Sequence, residues 1–326
     1  MSSRKHYPAL DGLRAYSALG IIVMHVLTNG GFSLGGFVFE RLIPSLAELV
    51  FLFMILSSFG LCCGYYETVS RGQFDAEGFY RKRLVKIWPF FALMCLFECA
   101  VSFSLDALWE TFANLSMCFG FLDRPMQVIG VGWFLGVVMI FYMIFPFFCC
   151  LIRNKKRAWL ALGIAAALCG LSEFHFGLER RNFAFCFVFF VAGGVLYLYR
   201  EKLEVSFASC RWLWLLFSAS VAAGWYALGC PALLSVVLYA LIAIYALGSS
   251  GKLLNNPLTR FLSGISMELY LCHMPVYRVL EKLKVTQLFG GGILAYALTC
   301  LLTVLGAVCV SFLYQKAVKR LTTETK

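Results

Sequence analysis

The chain has 326 residues, 61% of them hydrophobic and only 14% charged, with 32 phenylalanines and a formal net charge of +11. A soluble domain of this length needs far less apolar material for its core, so the balance excludes an ordinary globular protein and points to lipid as the solvent. Nearly all of the fourteen cysteines lie inside apolar stretches, singly or as the neighbours Cys62/Cys63 and Cys149/Cys150; without a paired C-x-x-C spacing they read as small packing residues, and no metal site is expected.

A membrane-spanning helix needs about 20 mostly apolar residues to cross about 30 Å of hydrocarbon. Apolar runs between polar breaks predict ten: 11–30, 45–66, 84–104, 129–152, 158–173, 182–199, 211–229, 231–249, 260–280 and 289–315. Arg4 and Lys5 precede the first run as in a signal peptide, but no small-residue cleavage site follows and Arg14 interrupts the run, so it is read as span one. Residues 105–123 are partly apolar but carry Asp106, Glu110 and Asn114, which predicts an interfacial or re-entrant loop and not a span. The expected fold class is therefore all-α: one polytopic helix bundle, a single integral membrane domain over residues 1–326.

Ten spans put both termini on one side. Twenty of the 28 Lys and Arg fall on that side, among them Arg4, Lys5 and Lys326; seven, including Arg41, Arg124 and Arg180, fall on the other, and Arg14 lies within span one. By the positive-inside rule both termini are expected in the cytoplasm, and the protein in the cell (cytoplasmic) membrane. The net charge then reflects topology and attraction to anionic lipid, not nucleic-acid binding.

Ionisable groups within spans are costly, about 2.5 to 3.5 kcal/mol for a mid-membrane Arg on the insertion scale, so they need a partner or a water-filled cavity. Arg14 and His25 are eleven residues apart, which advances a helix by about 1100° and places both side chains on one face, about 16 Å apart. The two could line one cavity, the Arg holding a phosphate or carboxylate and the neutral imidazole accepting a hydroxyl proton. A snorkelling Arg and a His bonded to a neighbouring helix fit the spacing as well.

Residues 79–89 (Phe-Tyr-Arg-Lys-Arg-Leu-Val-Lys-Ile-Trp-Pro) form a basic cluster at the mouth of span three. Arg83 and Lys86, three residues apart, are helix neighbours able to clamp phosphates, although a positive-inside anchor with Trp88 at the interface explains them equally. In span nine, Ser266, Tyr270, His273 and Tyr277 form a polar stripe that must face protein or water, with Glu268 off the stripe; hydrogen bonding between helices is the alternative reading.

These motifs resemble the acyltransferase-3 family of integral membrane acyltransferases. The run Leu10 to Ala15 (Leu-Asp-Gly-Leu-Arg-Ala) followed by His25 is similar to the family's opening, a basic residue, ten others, then His. Residues 53–59 resemble its Phe-rich second span, with Ser58 where Gly is usual; Arg83 to Lys86 resembles its R-x-x-R element, with Lys in second place. Gly132-Trp-Phe-Leu135 with Tyr142 and Pro146 resembles the fourth-span motif, and Leu269 to Pro275 the late Y-L-x-H-x-P element. Many members carry Glu-x-Gln after the fourth-span Trp; Val138-Met-Ile140 stands here, which resembles the shorter members that acetylate sugars on their own.

The resemblance implies an acyl-CoA donor, most simply acetyl-CoA, entering from the cytoplasm, no permanently bound cofactor, and transfer to a hydroxyl of a carbohydrate, a cell-surface polysaccharide or its lipid-linked precursor. His25 becomes the candidate general base and Arg14 the residue orienting the donor; Arg83 and Lys86, with Arg81, become candidate CoA-phosphate contacts, and Trp133, Tyr270 and His273 are motif positions without an assigned role. The rival classes are a secondary transporter or flippase with Arg14 and His25 in its pathway, which predicts symmetrically broken helices that Pro89, Pro146, Pro231 and Pro275 do not supply, and a non-catalytic membrane scaffold.

Overall fold

The computed structural model describes residues 6–121, 128–178, 180–249 and 251–324. Arg4, Lys5, Arg124 and Lys326, which entered the charge count, lie outside them. The described residues are helical with no strands. In chain order the helices are α1 (Pro8–Asn29), α2 (Ile43–Ser45, a single turn), α3 (Leu49–Ser70), α4 (Ala76–Val101), α5 (Leu105–Leu115), α6 (Trp133–Leu151), α7 (Lys155–Phe174), α8 (Phe183–Ser209), α9 (Arg211–Ala227), α10 (Ala232–Gly248), α11 (Pro257–Gly264), α12 (Ser266–Lys282) and α13 (Ile293–Glu324).

Local chemistry starts these helices where it should. Asp75, Asn154 and Asn256 sit just before α4, α7 and α11 and accept from the backbone N–H groups of Gly78, Arg157 and Thr259 at 2.8, 3.0 and 2.9 Å, satisfying donors that a helix start leaves unpaired. Seven segments are long and apolar enough to cross a membrane: α1, Val38–Ser70, α4, α6, α7, α8 and Ile293–Arg320 of α13. The three other predicted spans correspond to α9, α10 and α12, each of 17 residues, at the short end of the spanning range.

Two details differ from the sequence expectation. Span nine is not one helix: the chain breaks at Ile265 (φ −112, ψ 11), where Gly264 is a weak helix former and the Ser266 hydroxyl bonds back to the Ser263 carbonyl at 2.9 Å. The segment after α4 contains a true helix, α5, whose 11 residues reach only about 16 Å and cannot cross. Leu105, Leu108, Trp109 and Phe112 form an exposed apolar stripe on it at the i, i+3, i+4, i+7 spacing of an interfacial helix.

Helix α1 is central, packing against α3, α10, α11, α12 and α13, while α8 is the hub of the other half, against α3, α7 and α10. The α3–α8 contact is close because Gly193 lacks a side chain: a Cβ there would stand 2.3 Å from the Ile55 carbonyl oxygen and 2.8 Å from Ser58 Cβ. Small residues at the crossing let backbones meet and gain dispersion contacts, the main attraction available in lipid. Around it aromatic rings stack, Phe51 on Phe189 at 4.2 Å and Phe141 on Phe190 at 4.1 Å. Arg180 pairs with Glu48 and Arg278 with Glu98, so these charges are satisfied within the bundle.

Candidate active site

Arg14 points from α1 toward α3. Its guanidinium donates to Asp11 Oδ1 at 2.8 Å and to the Leu56 carbonyl at 2.9 Å, and it fits because Gly60 faces it: a Cβ there would be 3.0 Å from Nη2. Asp11 also contacts His6 Nε2 at 2.8 Å. This corner opens into a cavity of about 690 Å³ between α1, α3, α4, α6, α11 and α12.

One wall is cationic, with Arg14, Arg83, Lys86 and Arg260, against a single carboxylate, Asp11. Arg83 is held by aromatic faces: its guanidinium carbon lies 5.4 Å from the ring centres of Tyr65 and Phe79 and 5.7 Å from that of Tyr142. Such contacts fix the cation without neutralising it, and its buried Nε has no hydrogen-bond partner among the described residues. Tyr7, at the N-terminal entrance, keeps its proton: burial and then the nearby Glu204 carboxylate push its phenol well above the ordinary value. The deeper wall is apolar or aromatic, with Phe53, Phe134, Leu135, Val138 and Tyr270.

Tyr270 ends the cavity. Its hydroxyl donates to the Val131 carbonyl at 2.9 Å and its ring meets Phe134 edge-on at 5.5 Å. Behind it the His273 ring lies 6.0 Å from that of Tyr270 and 5.2 Å from that of His25. Past this pair, at the opposite end of α1, Asn29, Ser33, Glu281, Thr286 and Gln287 line a cleft of about 480 Å³ that contains no cation; Asn29 bonds the His25 carbonyl at 2.8 Å.

The structure thus brings Arg14, Arg83, Lys86 and Tyr270 to one cavity, and places His25, Arg81 and Trp133 outside its lining. His25 does not share that cavity wall with Arg14: α12 packs on α1 at its level and interposes Tyr270 and His273, so His25 meets a second imidazole instead. Arg81 lies outside the lining, because two residues of helix turn it about 200° away from Arg83. Trp133, the first residue of α6, packs against Phe134 at 6.4 Å between ring centres and also lies outside the lining. Conversely, Arg260, His6 and Asp11 line the cavity without having been singled out. Only Asp11 had a local signal, as the residue three before Arg14.

The acyltransferase-3 family model, described as an acyltransferase domain, matches residues 7–312. The chain belongs to the acyltransferase-3 family. This acyltransferase is accordingly a multi-pass membrane enzyme acting between an acyl donor and an acceptor. No curated protein and no solved structure matches it. Within the acyltransferase the matched region holds the histidine pair and every residue lining the two cavities except His6.

Proposed function

We propose that this protein transfers an acetyl group from acetyl-CoA to a hydroxyl of a carbohydrate, a cell-surface polysaccharide or its lipid-linked precursor. The observation that carries the reading is the cationic cavity: four basic side chains around one carboxylate, with the Arg83 Nε–H unspent, suit the phosphates of CoA, while the apolar inner wall suits the pantetheine arm and thioester. Ten spans with cytoplasmic termini in the cell membrane would open this cavity to the cytoplasm, where acyl-CoA is found, and the polar, cation-free cleft at the far end of α1, with the Glu281 carboxylate as a hydroxyl acceptor, suits a polyol.

In this reading Arg83 and Lys86 anchor the CoA phosphates and Arg14, braced by Asp11 and the Leu56 carbonyl, orients the donor. His25 takes the proton of the acceptor hydroxyl as its oxygen attacks the thioester carbonyl. The C–O ester bond forms, the C–S bond breaks, and the proton passes to the CoA thiolate. General-base assistance of this kind is worth about 10²- to 10⁴-fold. The test is transfer of radiolabel from acetyl-CoA to the carbohydrate of membranes containing the protein: His25→Ala is expected to lower it about 10²- to 10⁴-fold, to a measurable residual rate, while acetyl-CoA still binds, and equal transfer by His25→Ala sinks the mechanism. Wild-type protein of demonstrated integrity that binds no acyl-CoA favours the transporter or scaffold classes.

A further inference from the structure

His273 sits in mid-α12 with no exposed surface. Its Nδ1 is 2.7 Å from the Tyr270 carbonyl oxygen. A carbonyl can only accept, so Nδ1 carries the hydrogen, and in the neutral ring Nε2 is left as a bare lone pair. That Nε2 is enclosed by protein and has no hydrogen-bond partner among the described residues. Buried acceptors are rarely left this way, because burial removes the water that would otherwise serve them.

The ring packed against His273 from α1 is His25, with centres 5.2 Å apart and planes 37° apart. Imidazole rings with centres at that separation can form a hydrogen bond of about 2.9 Å when a nitrogen of each points at the other ring. The aromatic neighbour of His273 within its own helix is Tyr270, whose hydroxyl is already committed to Val131. Of these two aromatic neighbours, His25 is the one whose ring nitrogens can still pair with Nε2.

We propose that His273 is the positioning residue of the transfer: its Nε2 accepts a hydrogen bond from one ring nitrogen of His25 and so fixes the tautomer in which the other nitrogen of His25 offers its lone pair to the acceptor hydroxyl. The proposal rests on His25 as the base. It gives a neutral imidazole the part that a carboxylate plays in orienting the histidine of hydrolase triads. The backbone carbonyl of Tyr270 holds His273 in the accepting tautomer, and His273 neither gains nor loses a proton over the cycle.

Four histidines in the chain make selective ¹⁵N-histidine NMR of the detergent-purified protein tractable. The expected spectrum contains one ring with hydrogen on Nδ1 that is lost in His273→Leu, and His25 signals that move in that variant. Turnover is read with acetyl-CoA alone, water standing in for the acceptor hydroxyl. His273→Leu should lower kcat about 100-fold with the KM for acetyl-CoA and the thermal unfolding midpoint unchanged. His273→Gln keeps an acceptor oxygen and an N–H and should retain most of the rate. In a His25→Ala background neither change should have a further effect.

His25 signals that stay in place in His273→Leu overturn the proposal whether or not acetyl-CoA is turned over, as does a rate loss that persists undiminished in the His25→Ala background. Failure of the wild type to bind acetyl-CoA overturns the donor reading instead, and the spectrum still decides whether the two rings are bonded.

Discussion

Replacing Arg83 by Ala tests the donor cavity most directly. The guanidinium is half-buried, its carbon 5.4 Å from the Tyr65 and Phe79 ring centres, and its Nε–H has no acceptor among the described residues. Little must therefore be broken for it to bind an anion, and the side chain is already immobilised by rings that cost it no hydrogen bond. A hydrogen bond to a charged group contributes about 1.5 to 3 kcal/mol, which converts to a loss of roughly 10- to 150-fold in acetyl-CoA affinity for Arg83→Ala. Lys86 lines the same cavity with more of its side chain open than Arg83, so Lys86→Ala should cost less, and its share should fade as salt is raised. Arg81→Ala, on a neighbouring position of α4 but outside the lining, is the control and should leave affinity unchanged. Isothermal titration of acetyl-CoA into detergent-purified variants measures all three. Unchanged affinity in a folded Arg83→Ala protein, or a larger loss for Arg81→Ala than for Arg83→Ala, refutes the assignment of this cavity to the CoA phosphates.

The packing can be tested as sharply. Gly193→Val should destabilise the bundle by about 1 to 3 kcal/mol or more, because its Cβ would stand 2.3 Å from a backbone carbonyl that cannot swing aside, whereas Gly163→Ala in α7, with open space around it, should be neutral or stabilising by up to about 1 kcal/mol; thermal unfolding in detergent separates the two. Arg278→Ala leaves the buried Glu98 carboxylate without its cation and should lower stability by about 1 to 3 kcal/mol, and adding Glu98→Leu should recover much of the loss, since a well-packed apolar pair in place of a buried ion pair is often neutral. Failure of the double change to recover stability would mean that Glu98 has a further role.

By itself the sequence determined the class of solvent, the approximate placement of the apolar helices along the chain, and the family. Those properties are written in the length of apolar runs and in short spacings, such as the eleven residues from Arg14 to His25, which a regular helix converts directly into a shared face. It also pointed to α5 as non-spanning, because Asp106, Glu110 and Asn114 do not belong in hydrocarbon. Which groups meet across helices was decided only by tertiary structure, since helices distant in sequence carry no local record of their neighbours. Arg260 reaches the cavity from α11, about 180 residues after Arg83, and read in sequence as one more cytoplasmic charge. Arg81 looked equivalent to Arg83 until the rotation of α4 turned it away. His25 was expected on one cavity with Arg14; the crossing of α12 over α1 set His273 against it, and a single hydrogen bond from that ring to the Tyr270 carbonyl fixed which of its nitrogens was left free.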